Sequence, residues 1–319
     1  LESASNGEVY LIYSGRFYRL PVGGNQWISK SVPGTLNYNA GISVNPFGKI
    51  YIGGHSGRIY AANSGTEPFE EILKIPGASS YSKIISLGNN LNFALYNSLD
   101  KIVLFSDDGS SYEEIIIDLD NSEDMSNIYS HPDGSLLLIA ENKIRKSEDG
   151  GHNWYPIDII PFFDNERIWN SAVSPTGELY FLTNVGTYIS PDFGLTFQKL
   201  VGFPFDFKYS QNSKIAFSES GYTYIQANDD FFYSTPDKGL TWINLDKNFS
   251  LPTTHLMFES QDNQLFVKTR RLNQMEKSKD LGKSWDVITI NDNPIFRIAF
   301  HPNGDYFATT LDSVAKVFR

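Results

Sequence analysis

One short phrase recurs along this chain and constrains its fold more than any other feature. It reads Ser147-Glu148-Asp149-Gly150-Gly151-His152-Asn153-Trp154, then Ser190-Pro191-Asp192-Phe193-Gly194-Leu195-Thr196-Phe197, and it returns from Thr235 to Trp242 and from Ser278 to Trp285. Worn copies keep step before these: Ser106 to Tyr112 retains Asp108 and Gly109, while only an aromatic survives at Phe69 and at Trp27. The closing aromatics follow one another about every 43 residues, and self-similarity at a fixed period of that size marks an architecture built by repeating one module.

Within each period, apolar residues alternate or run in short β-branched and aromatic bursts between Gly, Pro, Asn and Asp clusters. That is the signature of strands, and helical spacing is missing. The unit beginning at Trp169 reads as four strands, 169–173, 179–182, 188–190 and 197–201, joined by Ser174-Pro175-Thr176-Gly177, Thr183-Asn184-Val185-Gly186 and the phrase itself. Four antiparallel strands in ~40 to 45 residues make one blade of a β-propeller. The expected fold class is therefore all-β, a single propeller domain spanning 1–319, because the unbroken repeat leaves no linker. First strands are expected near Ile42, Lys83, Asn127, Trp169, Lys214, His255 and Phe296, with Leu1 to Ser5 as a further one. After the last phrase, 296–301, 306–309 and 314–318 supply three strands and no fourth. Eight blades with the last incomplete is the favoured count, and seven with an irregular closure is the alternative.

The phrase has a physical job in such a blade. Asp at its third position accepts hydrogen bonds from nearby backbone N–H groups, and Gly two residues later adopts a positive φ at no steric cost. The closing aromatic is expected to bury its ring between neighbouring blades. Asp108, Asp149, Asp192, Asp237 and Asp280, with Trp154, Phe197, Trp242 and Trp285, are accordingly read as structural. The pattern Ser-x-Asp-x-Gly-x-Thr-Trp resembles the Asp-box, or bacterial neuraminidase repeat. Sialidases, xyloglucanase-like glycoside hydrolases, sortilin-type receptors and a photosystem assembly factor share it, so the resemblance implies a propeller and leaves function open.

Bulk properties remove several function classes. A net charge of -11 opposes binding to the phosphate backbone of nucleic acid or to an anionic membrane surface, since both call for a basic patch. Without cysteine, disulfides, thiol nucleophiles and thiolate metal sites are excluded. No apolar run approaches the ~18 residues of a membrane helix. No cofactor and no metal site is expected: the five histidines lack zinc spacing, and Asn228-Asp229-Asp230 is too short for a calcium loop. His131 and His301 hold the same repeat position, in His131-Pro132-Asp133-Gly134 and His301-Pro302-Asn303-Gly304, and read as turn residues. The first residues, the Tyr and Asn content and the resemblance to a largely secreted family suggest an extracytoplasmic bacterial protein, held by a lipid or surface tether ahead of residue 1.

A site is expected where each fourth strand leads into the next first strand and where the second leads into the third, on the face opposite the phrases. In the enzymes that the chain resembles, ligands bind on this face near the central axis. Two connections there are rich in rings, carboxylates and a cation, the mixture that stacks on sugar rings and bonds their hydroxyls. They are Pro161-Phe162-Phe163-Asp164-Asn165-Glu166-Arg167 and Phe203-Pro204-Phe205-Asp206-Phe207-Lys208-Tyr209. Phe162, Phe163, Arg167, Phe205, Phe207 and Tyr209, with Arg270 and Arg271, are the candidate ligand-binding residues. Tyr38, Tyr81, Asp118, Asp120, Asp246, His55, Asp229 and Asp230 lie in neighbouring loops of the same kind.

A hydrolase needs two carboxyl groups ~5 to 9.5 Å apart across one glycosidic bond, and Asp164, Glu166, Asp206 and Asp230 are the candidates. The sialidase resemblance implies an arginine triad and an early Phe-Arg-Ile-Pro segment. The nearest match, Phe296-Arg297-Ile298-Ala299, lies at the wrong end and lacks the proline. The reading that asks least of the sequence is a binding propeller for a glycan or a protein partner. A glycoside hydrolase of the xyloglucanase-like kind, and after it a sialidase, is the alternative.

Overall fold

In the computed structural model the described residues are 2–13, 15–24, 26–34, 36, 41–78, 83–96, 101–117, 125–131, 133–140, 143–157, 167–200, 213–218, 220–227, 231–245, 253–258, 264–269, 273–289, 295–300, 306–310 and 316–318. They are all-β, with one short 3-10 turn at His55–Gly57 and no α-helix among them. The strands form seven four-stranded sheets and one three-stranded sheet, each in chain order with antiparallel neighbours where pairing is described. The seven four-stranded sheets are the blades of a β-propeller, the count of the alternative reading. The three-stranded sheet, Ile295–Phe300, Tyr306–Thr310 and Lys316–Phe318, is the short set expected at the chain's end.

The fifth sheet shows how residues choose their strands. Ile168–Val173, Leu179–Thr183, Gly186–Ser190 and Gln198–Lys199 pair in succession, each within a few residues of its expected place. Leu179–Thr183 is buried throughout, as is Leu136–Ala140 in the fourth sheet, because apolar residues on both faces of such a strand meet neighbouring sheets. The fourth strands are the sheet edges, and Tyr155–Pro156 and Gln198–Lys199 are short and exposed, which blunts the edge against pairing with other chains. First strands begin at Glu2, Ile42, Lys83, Met125, Ile168, Lys214, Thr253 and Ile295, matching the eight expected places.

The chain divides into two compact units, Leu1–Pro156 with Ala299–Phe307 and Val314–Arg319, and Ile157–Ile298 with Ala308–Ser313. In the first unit, one apolar cluster joins the third and fourth sheets through Phe93, Leu95, Ile102, Ile128, Leu136 and Leu138. Two more join the first to the second sheet and the second to the third. In the second unit, Tyr180, Leu182, Ile215 and Ile225 join the fifth and sixth sheets, and Phe232, Leu245, Leu265 and Trp285 the sixth and seventh. Within each unit the described core thus runs along sheet-on-sheet seams.

Turns between first and second strands repeat one geometry. Gly134 donates its N–H to the carbonyl of His131 at 2.9 Å and Gly177 to that of Ser174 at 2.9 Å, with φ of 89° and 93° that only glycine adopts without strain. His131 sits in that turn, its Nδ1 3.0 Å from Asp133. His301 lies outside the described residues.

Candidate functional site

Each sheet has two ends, and they treat polar groups differently. The end holding the third-to-fourth turn carries the repeated phrase. Ser147 Oγ donates to Asp149 Oδ1 at 2.9 Å and accepts the Gly151 N–H at 2.8 Å. The Asn153 N–H donates to the same Asp149 Oδ1 at 2.9 Å, and its side-chain amide donates to Oδ2 at 2.6 Å. Asp192 takes the N–H and hydroxyl of Thr196, Asp237 those of Thr241 and Asp280 those of Ser284, with the preceding Ser or Thr bridging as Ser147 does. Gly151, Gly194, Gly239 and Gly282 close the turn at positive φ. These donors hold Asp149 at about 2, the Asn153 backbone bond leading, and Asp108 at about 2 through Ser110.

Neighbouring sheets are tied at the same end. Tyr51 donates its hydroxyl to Asp107 of the next sheet at 2.8 Å, and His152 lies 2.6 Å from Glu113 of the sheet before it. Lys238, inside a phrase, pairs with buried Glu178 of the preceding sheet, which also accepts the hydroxyls of Ser174 and Thr176. Burial pushes the Glu178 carboxyl up, but these bonds outweigh it and hold it at about 2. The closing aromatics complete the seams. Trp154 stands edge-on to Phe93 of the preceding sheet, with centroids 6.5 Å apart, and Trp285 is buried among residues of the sixth and seventh sheets. Phe197 packs instead on Phe181 of its own sheet, and Tyr112 in the worn copy is exposed.

At the opposite end, where first strands begin, Lys83 and Asn127 show donors that meet no acceptor among the described residues. In the first unit the first strands of consecutive sheets pack side by side, Glu2–Ser3 on Ile42–Val44, Ile42–Val44 on Lys83–Gly88, and Lys83–Gly88 on Met125–Ser130. Lys83 opens its strand and donates from Nζ to Asn127 Oδ1 at 3.0 Å. Asn127 Oδ1 also accepts the Ile128 N–H at 3.1 Å, which leaves the amide Nδ2 pointing away from both bonds. Glu2 and Lys83 both expose surface, yet desolvation raises the Glu2 carboxyl against the pull of the N-terminal ammonium and then of Lys83, and lowers the Lys83 ammonium against the pull of Glu2.

Phe162, Phe163, Asp164, Glu166, Phe205, Asp206, Phe207, Tyr209, Asp230, Arg270 and Arg271 lie outside the described residues, as do Tyr38, Tyr81, Asp118, Asp120, Asp229 and Asp246. Arg167 is described. Its guanidinium lies 4.9 Å from the Trp169 ring, and its backbone N–H donates to Asn184 Oδ1 at 2.7 Å while its carbonyl accepts the Asn184 N–H at 3.1 Å. His55 lies 2.5 Å from Ser56 Oγ in the second-to-third turn of its sheet. Among the described residues, no three His, Cys, Asp or Glu side chains group to hold a metal ion. Sequence reading placed Lys83 and Asn127 at strand starts but gave them no site role, since a polar residue opening a strand is common and its neighbour across the sheets is invisible from spacing.

No family model and no curated protein matches the chain. Solved structures do. The chain is similar to YCF48 in its structure bound to a D1 peptide, at 16% identity and TM-score 0.63, covering 92% of this chain and 97% of that one. It is similar to BamB from Moraxella catarrhalis at 13% identity and TM-score 0.65, covering 99% and 93%. It is also similar to virginiamycin B lyase from Staphylococcus aureus at 13% identity and TM-score 0.61, covering 88% and 94%. At these identities the likeness carries the propeller fold.

Proposed function

We propose that this chain is a binding propeller that takes up an extended segment of a partner protein on the end of its sheets where first strands begin. The observation that carries the reading is that donors of Lys83 and Asn127 there meet no acceptor among the described residues, set against the self-satisfied phrases at the other end. Extended peptides bind through backbone and side-chain acceptors and donors, and a surface with polar groups in hand can receive them. The likeness in fold to YCF48 bound to a D1 peptide supports the reading, as does the wealth of rings in the 161–167 and 203–209 connections. Uptake of a glycan by the same aromatic loops and an extracytoplasmic, surface-tethered location belong to the same proposal, supported by the resemblance of the repeat to a largely secreted family.

The test is peptide-display panning on the immobilised protein, followed by affinity measurement on the enriched peptides. Binding in the micromolar range, about -8 kcal/mol, and weakened at least about tenfold by Phe205→Ala or Phe162→Ala, is the expected result. Failure to enrich any peptide, or binding indifferent to both changes, overturns it. A glycan array run in parallel reads the carbohydrate version.

A further inference from the structure

We infer that Lys83 and Asn127 together form an anchor for a carboxylate of the ligand, held at the start of adjacent first strands with Glu2 as its internal competitor. This deepens the binding reading proposed above and rests on it for the peptide ligand. The Lys83-to-Asn127 bond of 3.0 Å uses one of three ammonium protons and fixes the amide with its oxygen toward lysine. Asn127 Oδ1 is further engaged by the Ile128 N–H, so the amide cannot turn over without losing two bonds. What remains on these two side chains is a set of donors, two ammonium N–H groups and the Nδ2 protons, for which no hydrogen-bond partner occurs among the described residues, with the Glu2 carboxylate close enough to attract the ammonium. Donors grouped this way select an acceptor, and charge-assisted bonds to a carboxylate are the strongest it can offer.

The electrostatics agree. The surroundings desolvate Lys83 and lower its ammonium, so the cation is short of stabilising contacts and gains from an added anion. Glu2, a residue of the neighbouring wall of first strands, supplies part of that counter-charge and is itself raised by desolvation. The overall charge of -11 opposes anions at long range, but salt screens it beyond about 8 Å, and the local pair decides what seats there. A chain-terminal carboxylate and an Asp or Glu side chain present the same group.

Two arms test the anchor. In the first, side-chain lysine signals are followed by NMR while acetyl-alanyl-alanine is added at millimolar concentration as the free acid or as the amide. Saturable shifts of the Lys83 signal with the acid alone, abolished in Asn127→Asp, are expected; equal response to acid and amide overturns the anchor. In the second, a panned peptide is compared as free acid, as C-terminal amide, and with its Asp and Glu changed to Asn and Gln, which separates the two sources of carboxylate. Lys83→Met is expected to weaken the acid form about tenfold or more and leave the neutralised form unchanged, Lys83→Arg to restore part of the loss, and Glu2→Gln to strengthen binding several-fold. A peptide that still depends on Phe205 yet ignores Lys83→Met and neutralisation overturns the anchor while the binding reading stands. Lys83 shifts with the free acid but no peptide enriched does the reverse.

Discussion

The two ends of the fourth sheet's neighbourhood spend their polar groups in opposite ways. At the phrase end Asp149 takes two bonds from Asn153 and one from Ser147, and Ser147 accepts another from the Gly151 N–H. At the strand-start end Asn127 and Lys83 bond once to each other, and their other donors meet no acceptor among the described residues. Both ends are polar, so polarity alone does not mark a ligand surface. What marks it is capacity left after the local structure is satisfied. A turn that consumes its own donors and acceptors is rigid and inert, and the same residues cannot then grip a substrate.

Changes at the two ends should therefore fall on different measurements. The largest stability loss is expected for Trp154→Ala, about 3 kcal/mol in urea unfolding, since it empties the ring contact with Phe93 and strands the Gly151 carbonyl that the indole N–H reaches at 2.8 Å. Peptide affinity should be retained by the folded fraction; a variant as stable as the parent would dissolve the contrast. Glu178→Gln comes next, at about 2 kcal/mol, because it leaves Lys238 without its carboxylate and loosens the Ser174 and Thr176 hydroxyls. Combined with Lys238→Met in a double-mutant cycle, it should show coupling of about 1 kcal/mol, and strict additivity would count against the inter-sheet tie.

Asp192→Ala is expected to cost about 1 kcal/mol through the lost Thr196 bonds, discounted for exposure to solvent, with no change in peptide affinity. Acid sharpens the same point. Asp149, Asp108 and Glu178 all have folded values of about 2, below their ordinary ones, so the stability they confer is complete above roughly pH 4.5 and drains away as pH falls toward 2. Unfolding scans between pH 5 and 2 should show this decline, and Asp149→Asn should flatten it; an unchanged slope would deny the carboxylate its place in the turn. Smallest of all is Lys83→Met, expected to shift stability by less than about 0.5 kcal/mol while changing carboxylate affinity, the reverse of every phrase variant.

Much of the fold can be read without coordinates. The first-strand starts, the four-strand module and the phrase as its last turn follow from spacing, because turn chemistry is local: Asp149 and Asn153 are four residues apart and need no distant partner. The site is legible only in outline. Lys83 and Asn127 are 44 residues apart, and their bond exists because two modules stand edge to edge. Even the aromatic rule divides, with Trp154 crossing to Phe93 of the preceding sheet and Phe197 staying with Phe181 of its own.

By itself, then, the order of residues determined the period, the strand class and the hairpin that closes each module, since all three depend on contacts within a few residues and on alternation along one strand. Only the tertiary structure decided which side chains from separate modules meet, as Glu178 meets Lys238, and which have donors without an acceptor among the described residues, as Asn127 does. The physical reason is that satisfaction of a polar group is settled by everything within about 3 Å of it, and most of that surrounding comes from another part of the chain.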